Sequence, residues 1–488
     1  MATRLTTILV AMIVGATFIA GLIVGAQRDD ASGPVDLIIV NGKVYPGGGA
    51  DLQEAVAVRG NQILRVGSNR DVKRLRRAQT VVLDAHGATV LPGLNDTRVQ
   101  LMNGALTLEH LNLAPARTAD DIKTELRHYA EDKPSASWLL ARNGDEDVLA
   151  AANVPARNIL DGAVDDRPVL VTSEDGTVAW ANTKALELAG ITRKTQNPRS
   201  GIVVKDRRTG EPTGVLKDHA VGLVSRLVPE PTRAEKLAAL RVAITEANRL
   251  GITSMHSVSP SDEEIALLDE IRKDGALAVR VYASIAVPPT LTESDVLELN
   301  KVRDEFPDDP ALKLGGVTIV CPCDAPQIER TVALLDRHDW HVMVQTVNGA
   351  DVHAAVNAFE HAAAANPSPA RERRNRLDES LLGDGQARIL LGSNWPAASL
   401  DPREAMEDAV GAPGELRNAI DAYTSHAAYA SYDEQRKGIL ARGMLADIVI
   451  LSNDVFESRP DALRETAVTV TIFDGKIVYQ RPPVVSSN

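Results

Sequence analysis

Cysteine is almost missing from this chain: its 488 residues include two, Cys321 and Cys323, set one residue apart in "CPC". Two cysteines make no disulfide framework, and one intervening residue is poor spacing for a zinc knuckle. They read as two small apolar residues ending a buried strand. Aromatic residues are also scarce, at 3%. No run of Lys or Arg approaches a polybasic patch, and the net charge is −13. That balance disfavours a nucleic-acid partner and electrostatic adhesion to an anionic membrane, while leaving a hydrophobic anchor open. No GxGxxG or GxxxxGK[ST] follows a strand-like run, so a nucleotide-binding doubly wound sheet has no support. No GxSxG is present, which removes the usual serine-nucleophile elbow; the serine of "LGSNW" lacks both glycines.

What is present begins with a long apolar segment. Residues 5–26 form a 22-residue uncharged run between Arg4 and Arg28. Its length suffices to cross a bilayer, and "VGA" before Gln27 also resembles a cleavage site. An uncleaved transmembrane signal anchor over 1–26 is favoured over a cleaved signal peptide, with a linker at 27–34. Arg4 and the acidic Asp29-Asp30 predict that the remainder is exported to the periplasmic or extracellular side, making the membrane an expected partner.

After the linker, "VDLIIVNGKVYP" reads as two strands around an Asn41-Gly42 hairpin, and "EAVAVRGNQILRVGS" as two more around Gly60-Asn61. The far end, "GMLADIVILSND" and "AVTVTIFDGKIVYQ", is again strand-like. These runs predict a β-sandwich composed of 35–90 and 437–485. The middle alternates helix and strand, with a capping box at Thr232 and Glu235 and another capped start at Ser261 and Glu264. Alternation of this kind predicts a parallel α/β architecture, with a barrel as the better fit. Residues 102–225 interrupt it as an inserted subdomain within a barrel domain spanning 91–436.

One strand raises a chemical question. In "VLPGLNDTRVQL", residues 90–101, alternation places Asp96, Arg98 and Gln100 on one face and Thr97, Val99 and Leu101 on the other. Three polar groups on one face amid apolar sequence are costly unless they meet water, a ligand or each other.

Eight segments, in order, resemble the amidohydrolase superfamily, specifically the amidohydrolase family 3 group. They include "DLIIVNGKVYPG", "VVLDAHGATVLPGLND", "ANRLGITSMHS", "LLGSNWP" and "KGILARGMLADIVILSNDVF". The resemblance implies a distorted (β/α)8 TIM-like barrel with a sandwich from both chain ends. It also implies hydrolysis of C–N bonds by a divalent metal such as zinc, which lowers the pKa of a bound water. Yet where the family reads like "PGLIDSHVHL", its two histidine ligands correspond to Arg98 and Gln100. Thr318 stands at the lysine's place, Gln345 at a histidine's, and Glu379 at the second histidine of a "RHRIEHA"-like stretch. Asn394 replaces the aspartate that would act as general base, and Thr177 the pocket histidine of the insert. Arg, Gln, Thr and Asn offer no anionic or imidazole ligand.

The resemblance, so altered, predicts no bound cofactor and a non-catalytic pseudoenzyme that binds a small ligand or a protein partner. The alternative is an active hydrolase of non-peptide C–N bonds with an atypical site, so enzymatic activity is left open. Asp96, Thr177 and His256 are further candidates to line the pocket. Arg98 is expected to pair with Glu379 or Asp96. Finally, only seven residues separate Glu379 from Ala387, where the family has a helix, a strand and another helix. A parallel crossover needs a dozen or more. The barrel is therefore expected to be incomplete or closed by a substitute segment.

Overall fold

Capped helices and buried strands alternate from residue 233 onward, and this alternation builds the central layer. The computed structural model describes residues 35–306, 309–377, 380–382, 387–410, 415–457 and 463–482. The segment 1–26, the linker and Glu379 lie outside the described residues. Among the described residues no helix is long and apolar enough to cross a membrane. The expectation of a membrane partner is therefore withdrawn: an apolar run in the sequence is not by itself a spanning helix, and nothing described supports one.

Eight strands form one curled sheet: β1 Leu94–Val99, β2 Ile252–Val258, β3 Arg280–Val287, β4 Leu312–Val320, β5 His341–Gln345, β6 Asn375–Leu377, β7 Ser380–Leu382 and β8 Ala387–Ile389. They lie side by side in chain order, and β1 to β6 are parallel. Helices α1 Leu101–Leu108, α2 Arg233–Arg249, α3 Asp262–Lys273, α4 Glu293–Glu305, α5 Ala325–Arg337 and α6 Gly349–Ala365 accompany them. Thr232 and Glu235 close a true capping box on α2. The helix buries Ala239, Leu240, Ala243, Ile244 and Ala247 in a core shared with Ile252 and Met255 of β2. Each fully buried Leu or Ile there contributes about 1.5–3 kcal/mol.

The shortfall after β6 is met by reversing the chain. β7 pairs antiparallel with β6, and β8 antiparallel with β7. A hairpin fits an interval too short for a crossover helix. Residues 391–395 then run beside β1. The Thr97 N–H and hydroxyl donate to the Leu391 carbonyl at 3.3 and 2.9 Å, and the Asn394 N–H donates to the Arg98 carbonyl at 2.8 Å. Val99 also forms a parallel bridge with Trp395. The two edges of the sheet are thereby joined by an irregular segment, which leaves no exposed ladder on β1.

Two further sheets flank it, and the second combines strands from both chain ends. One holds Gln62–Gly67, Ala55–Arg59, Leu37–Val40 and Val81–Asp84; the other holds Lys43–Val44, Thr89–Pro92, Ile448–Leu451, Val468–Phe473 and Lys476–Gln480. The Gly60-Asn61 hairpin forms, pairing Ala55–Arg59 with Gln62–Gly67. The Asn41-Gly42 hairpin does not. Asn41 takes φ 56°, but Leu37–Val40 pairs with Ala55–Arg59 and Val81–Asp84, while Lys43–Val44 pairs with Thr89–Pro92. The turn passes the chain from one sheet to the other, and each flanking run is hydrogen-bonded to distant strands rather than to the other run.

The insert carries its own six-stranded sheet: Gly201–Lys205, Pro212–Asp218, Val178–Ala181, Val169–Thr172, Leu139–Arg142 and Leu111–Asn112. Separate apolar clusters, around Trp180 and around Leu216, pack against it.

Candidate active site at the barrel mouth

Asp96 is fully buried in β1. Its Oδ1 accepts the N–H groups of Arg98 and Ser393, each at 3.0 Å, while Oδ2 has no partner among the described residues. Burial pushes its pKa up to about 6, against the lowering effect of those bonds and of the Arg376 guanidinium. Gly392 makes the arrangement possible. A Cβ there would lie 2.7 Å from the Arg98 nitrogen and 3.1 Å from Asp96 Oδ1.

The expected Arg98 pairing with Asp96 is not formed. Only the Arg98 backbone N–H reaches that carboxylate, and the buried Nε has no partner. Side chains two apart on a strand share a face but diverge from it, and here the carboxylate turns toward the backbone of its own strand. The expected shared face also ends early. β1 stops at Val99, and Gln100 is the first residue of the turn into α1, with φ −99° and ψ 78°. Its side chain accepts a bond from Asn103 at 2.9 Å.

Thr318 is fully buried and lies 2.6 Å from the Ser284 hydroxyl across β3 and β4. Gln345 ends β5 half-buried. Asn394 has φ 54° and precedes a cis Trp395–Pro396 bond. Thr177 is apart from the rest: it sits on the insert, bound to Asp175. His256, a candidate to line the pocket, lies within β2 and is 1% exposed. Its Nδ1 is 3.3 Å from the Arg376 guanidinium, and burial with that charge holds its pKa well below the usual histidine range.

Arg376 escaped the sequence reading as a site residue. It is 1% exposed inside the sheet, donating to the Thr97 carbonyl at 3.1 Å. Around it, Tyr282 bonds His341 Nδ1 at 3.0 Å and stacks near His256 at 5.1 Å. Gly315 and Gly316 leave room for the Tyr282 ring, which a Cβ would approach to 3.1 and 3.3 Å. The interior is thus filled by neutral rings and a guanidinium.

Above this layer, a cavity of about 290 Å³ is lined by Gln100, Asn103, Ser259, Ser261, Glu264 and Gln345, with Met102 and Val258. Gln100 and Gln345, two positions that the resemblance assigns to metal ligands, both line it. Glu264 is the further residue that sequence reasoning missed. It is 5% exposed and accepts the Ser257 hydroxyl at 3.0 Å. Burial pushes its pKa up to about 7. Its spacing from Ser261 suggested a capping box, yet the carboxyl turns inward and only its N–H is capped by Ser261. No local signal separates these two fates.

The residues do not fit a metal. Among the described residues no group of three or more His, Cys, Asp or Glu is placed to hold one. Arg98 puts a fixed positive charge at a position that the resemblance assigns to a ligand, and amide and hydroxyl side chains hold divalent ions poorly without carboxylate or imidazole.

The comparisons with known proteins agree with the fold. The N-substituted formamide deformylase of Arthrobacter pascens is 23% identical over 535 residues, covering 91% of this chain and 98% of that protein. LONG AFTER FAR-RED 3 of Arabidopsis thaliana is 24% identical over 540 residues, covering 91% of each. An uncharacterized metal-dependent hydrolase from Pyrococcus furiosus shares the fold with a TM-score of 0.64 at 18% identity, over 86% of this chain and 100% of that one. The amidohydrolase family model matches residues 81–388 and 388–479, two segments that meet at the β7–β8 hairpin. The chain belongs to the amidohydrolase family.

Proposed function

We propose that this member of the family binds a small, neutral, amide-like ligand at the barrel mouth without metal-dependent catalysis. The observation that carries the reading is the replacement of the ligand set: Arg98, Gln100, Thr318, Gln345 and Asn394 occupy positions where the family resemblance implies histidine, lysine and aspartate. In place of a metal, the cavity presents carboxamides at Gln100, Asn103 and Gln345, beside a Glu264 carboxyl that keeps its proton up to about pH 7. A carboxamide both donates and accepts, and a protonated carboxyl donates, so the set complements a neutral amide rather than an ion.

The test has two arms on the full chain. Purified without chelator and then incubated with excess zinc, it is expected to retain almost no metal; one tightly held ion per chain overturns the reading. Titrated with an N-substituted formamide, it is expected to bind at pH 6 and to lose at least tenfold in affinity in Gln345→Ala.

A second reading, hydrolysis of a non-peptide C–N bond, is favoured by one observation: Glu264 titrates near neutrality beside the cavity, as a general acid–base group must. The deformylase relative gives the assay. Release of amine from the same formamide by metal-free protein, abolished in Glu264→Gln, would establish this reading over pure binding.

A further inference from the structure

Cys321 and Cys323 are joined to each other by a disulfide. The sequence expectation of two inert apolar residues is thereby corrected. Both sit at the C-terminal end of β4, on the side of the sheet where the mouth cavity lies. The Cys321 N–H donates to the Gln345 carbonyl at 2.9 Å, and the Cys323 N–H to Asp351 Oδ1 at 3.2 Å.

This bond is a poor staple for the fold. The stabilisation from a cross-link grows with the loop it closes, and a sequence separation of two is close to the smallest loop possible. Its neighbours are arranged for access instead. Cys321 is buried at 3% exposure, Cys323 is only half-buried, and Pro322 between them is exposed. Val320 is 50% exposed and Val347 is 68% exposed, among the most exposed large aliphatic side chains of the described residues. They adjoin the disulfide. Val320 directly precedes Cys321, and the Val347 N–H is held by Asp351 Oδ2 at 3.1 Å, the same carboxylate that holds Cys323. The field at the N-terminus of α5, two residues on, favours a thiolate at Cys323. Asp324 and Asp351 oppose it, the latter already occupied by two backbone N–H groups.

We propose that the Cys321–Cys323 disulfide is a redox-active couple, reduced by a thioredoxin-type dithiol protein that docks on the apolar collar of Val320, Pro322 and Val347. An accessible sulfur is what such a reductant requires, because its thiolate must attack the S–S bond, and exposed apolar residues beside that sulfur offer the surface on which to dock. The partner's thiolate bonds to Cys323 Sγ, the S–S bond breaks, and Cys321 Sγ leaves as a thiolate that takes a proton. The partner's second thiol then attacks the mixed disulfide and releases Cys323 as a thiolate. The partner ends as a disulfide, oxidised by two electrons, and this protein as a dithiol.

The experiment uses the full chain, air-oxidised, with thiols counted by alkylation and mass measurement after reaction with thioredoxin or with dithiothreitol. Two thiols are expected to appear with thioredoxin at least a hundredfold faster per dithiol than with dithiothreitol. Val347→Glu and Val320→Glu, both at exposed positions, are each expected to slow the thioredoxin reaction at least tenfold while changing the dithiothreitol rate less than twofold. Free cysteines in the air-oxidised protein would overturn the couple. A thioredoxin rate no better than that of dithiothreitol, or unaffected by both substitutions, would overturn the docking collar and the assignment with it.

Discussion

Glu264 keeps its proton because burial removes the water that would stabilise its charge, while Ser257 and the Met102 N–H compensate only in part. The sign of the consequence follows from proton counting. Between the ordinary glutamate value of 4.5 and about 7 the folded chain holds a proton that the unfolded chain has released, so stability falls as pH rises through that window. The full shift amounts to at most about 3 kcal/mol. Glu264→Gln is expected to be near neutral at pH 5 and to raise the melting temperature relative to the parent at pH 8; equal shifts at both pH values would refute the protonated carboxyl. Asp96 adds a slope of the same sign, from 3.8 to about 6, which this substitution leaves in place. Asp96→Ala is expected to cost about 2–6 kcal/mol in denaturant unfolding, since it orphans one buried and one part-buried N–H group at about 1–3 kcal/mol each.

At the scale of elements, the most informative piece is the hairpin that replaces a strand and its helices. The short interval after Glu379 made a full parallel crossover impossible, and that much was legible from chain length alone. Its solution was legible only in part: Asp384-Gly385 is a hairpin signal between β7 and β8, but Asp378-Glu379, between β6 and β7, announces no reversal. Closure then depends on residues 391–395 lying close along β1. Gly392→Ala is the direct test. Its methyl would press on the Arg98 backbone, so a loss of about 1–3 kcal/mol or more is expected from overpacking. Faster hydrogen exchange at Thr97 and Asn394 should accompany it, and unchanged exchange there would show that the segment does not hold the edge. The Asn41-Gly42 turn teaches the same lesson from the other side: a strong local hairpin signal was overruled by non-local pairing.

At the scale of the molecule, the sheet made from both chain ends is tied to the barrel by a buried ion pair. Arg280, the first residue of β3, is 3% exposed and reaches Asp447 at 2.7 and 2.9 Å and Asp474 at 2.9 Å. Both acids belong to the far end of the chain, about 170–190 residues later in sequence by these pairings. Arg280→Ala is expected to cost about 3–5 kcal/mol, since it leaves Asp447 buried and uncompensated; a calorimetric scan showing no loss would refute the tie. The sequence by itself determined the alternation of elements and the family, because periodicity, caps and the order of motifs are local properties. Only the tertiary structure decided that Gln100 and Gln345 meet Glu264 in one cavity and that Arg376, not Arg98, fills the interior. It alone also joined two cysteines beside an exposed apolar collar. These depend on which strands become neighbours and on how deeply each side chain is buried, and neither is written in any single stretch of the chain.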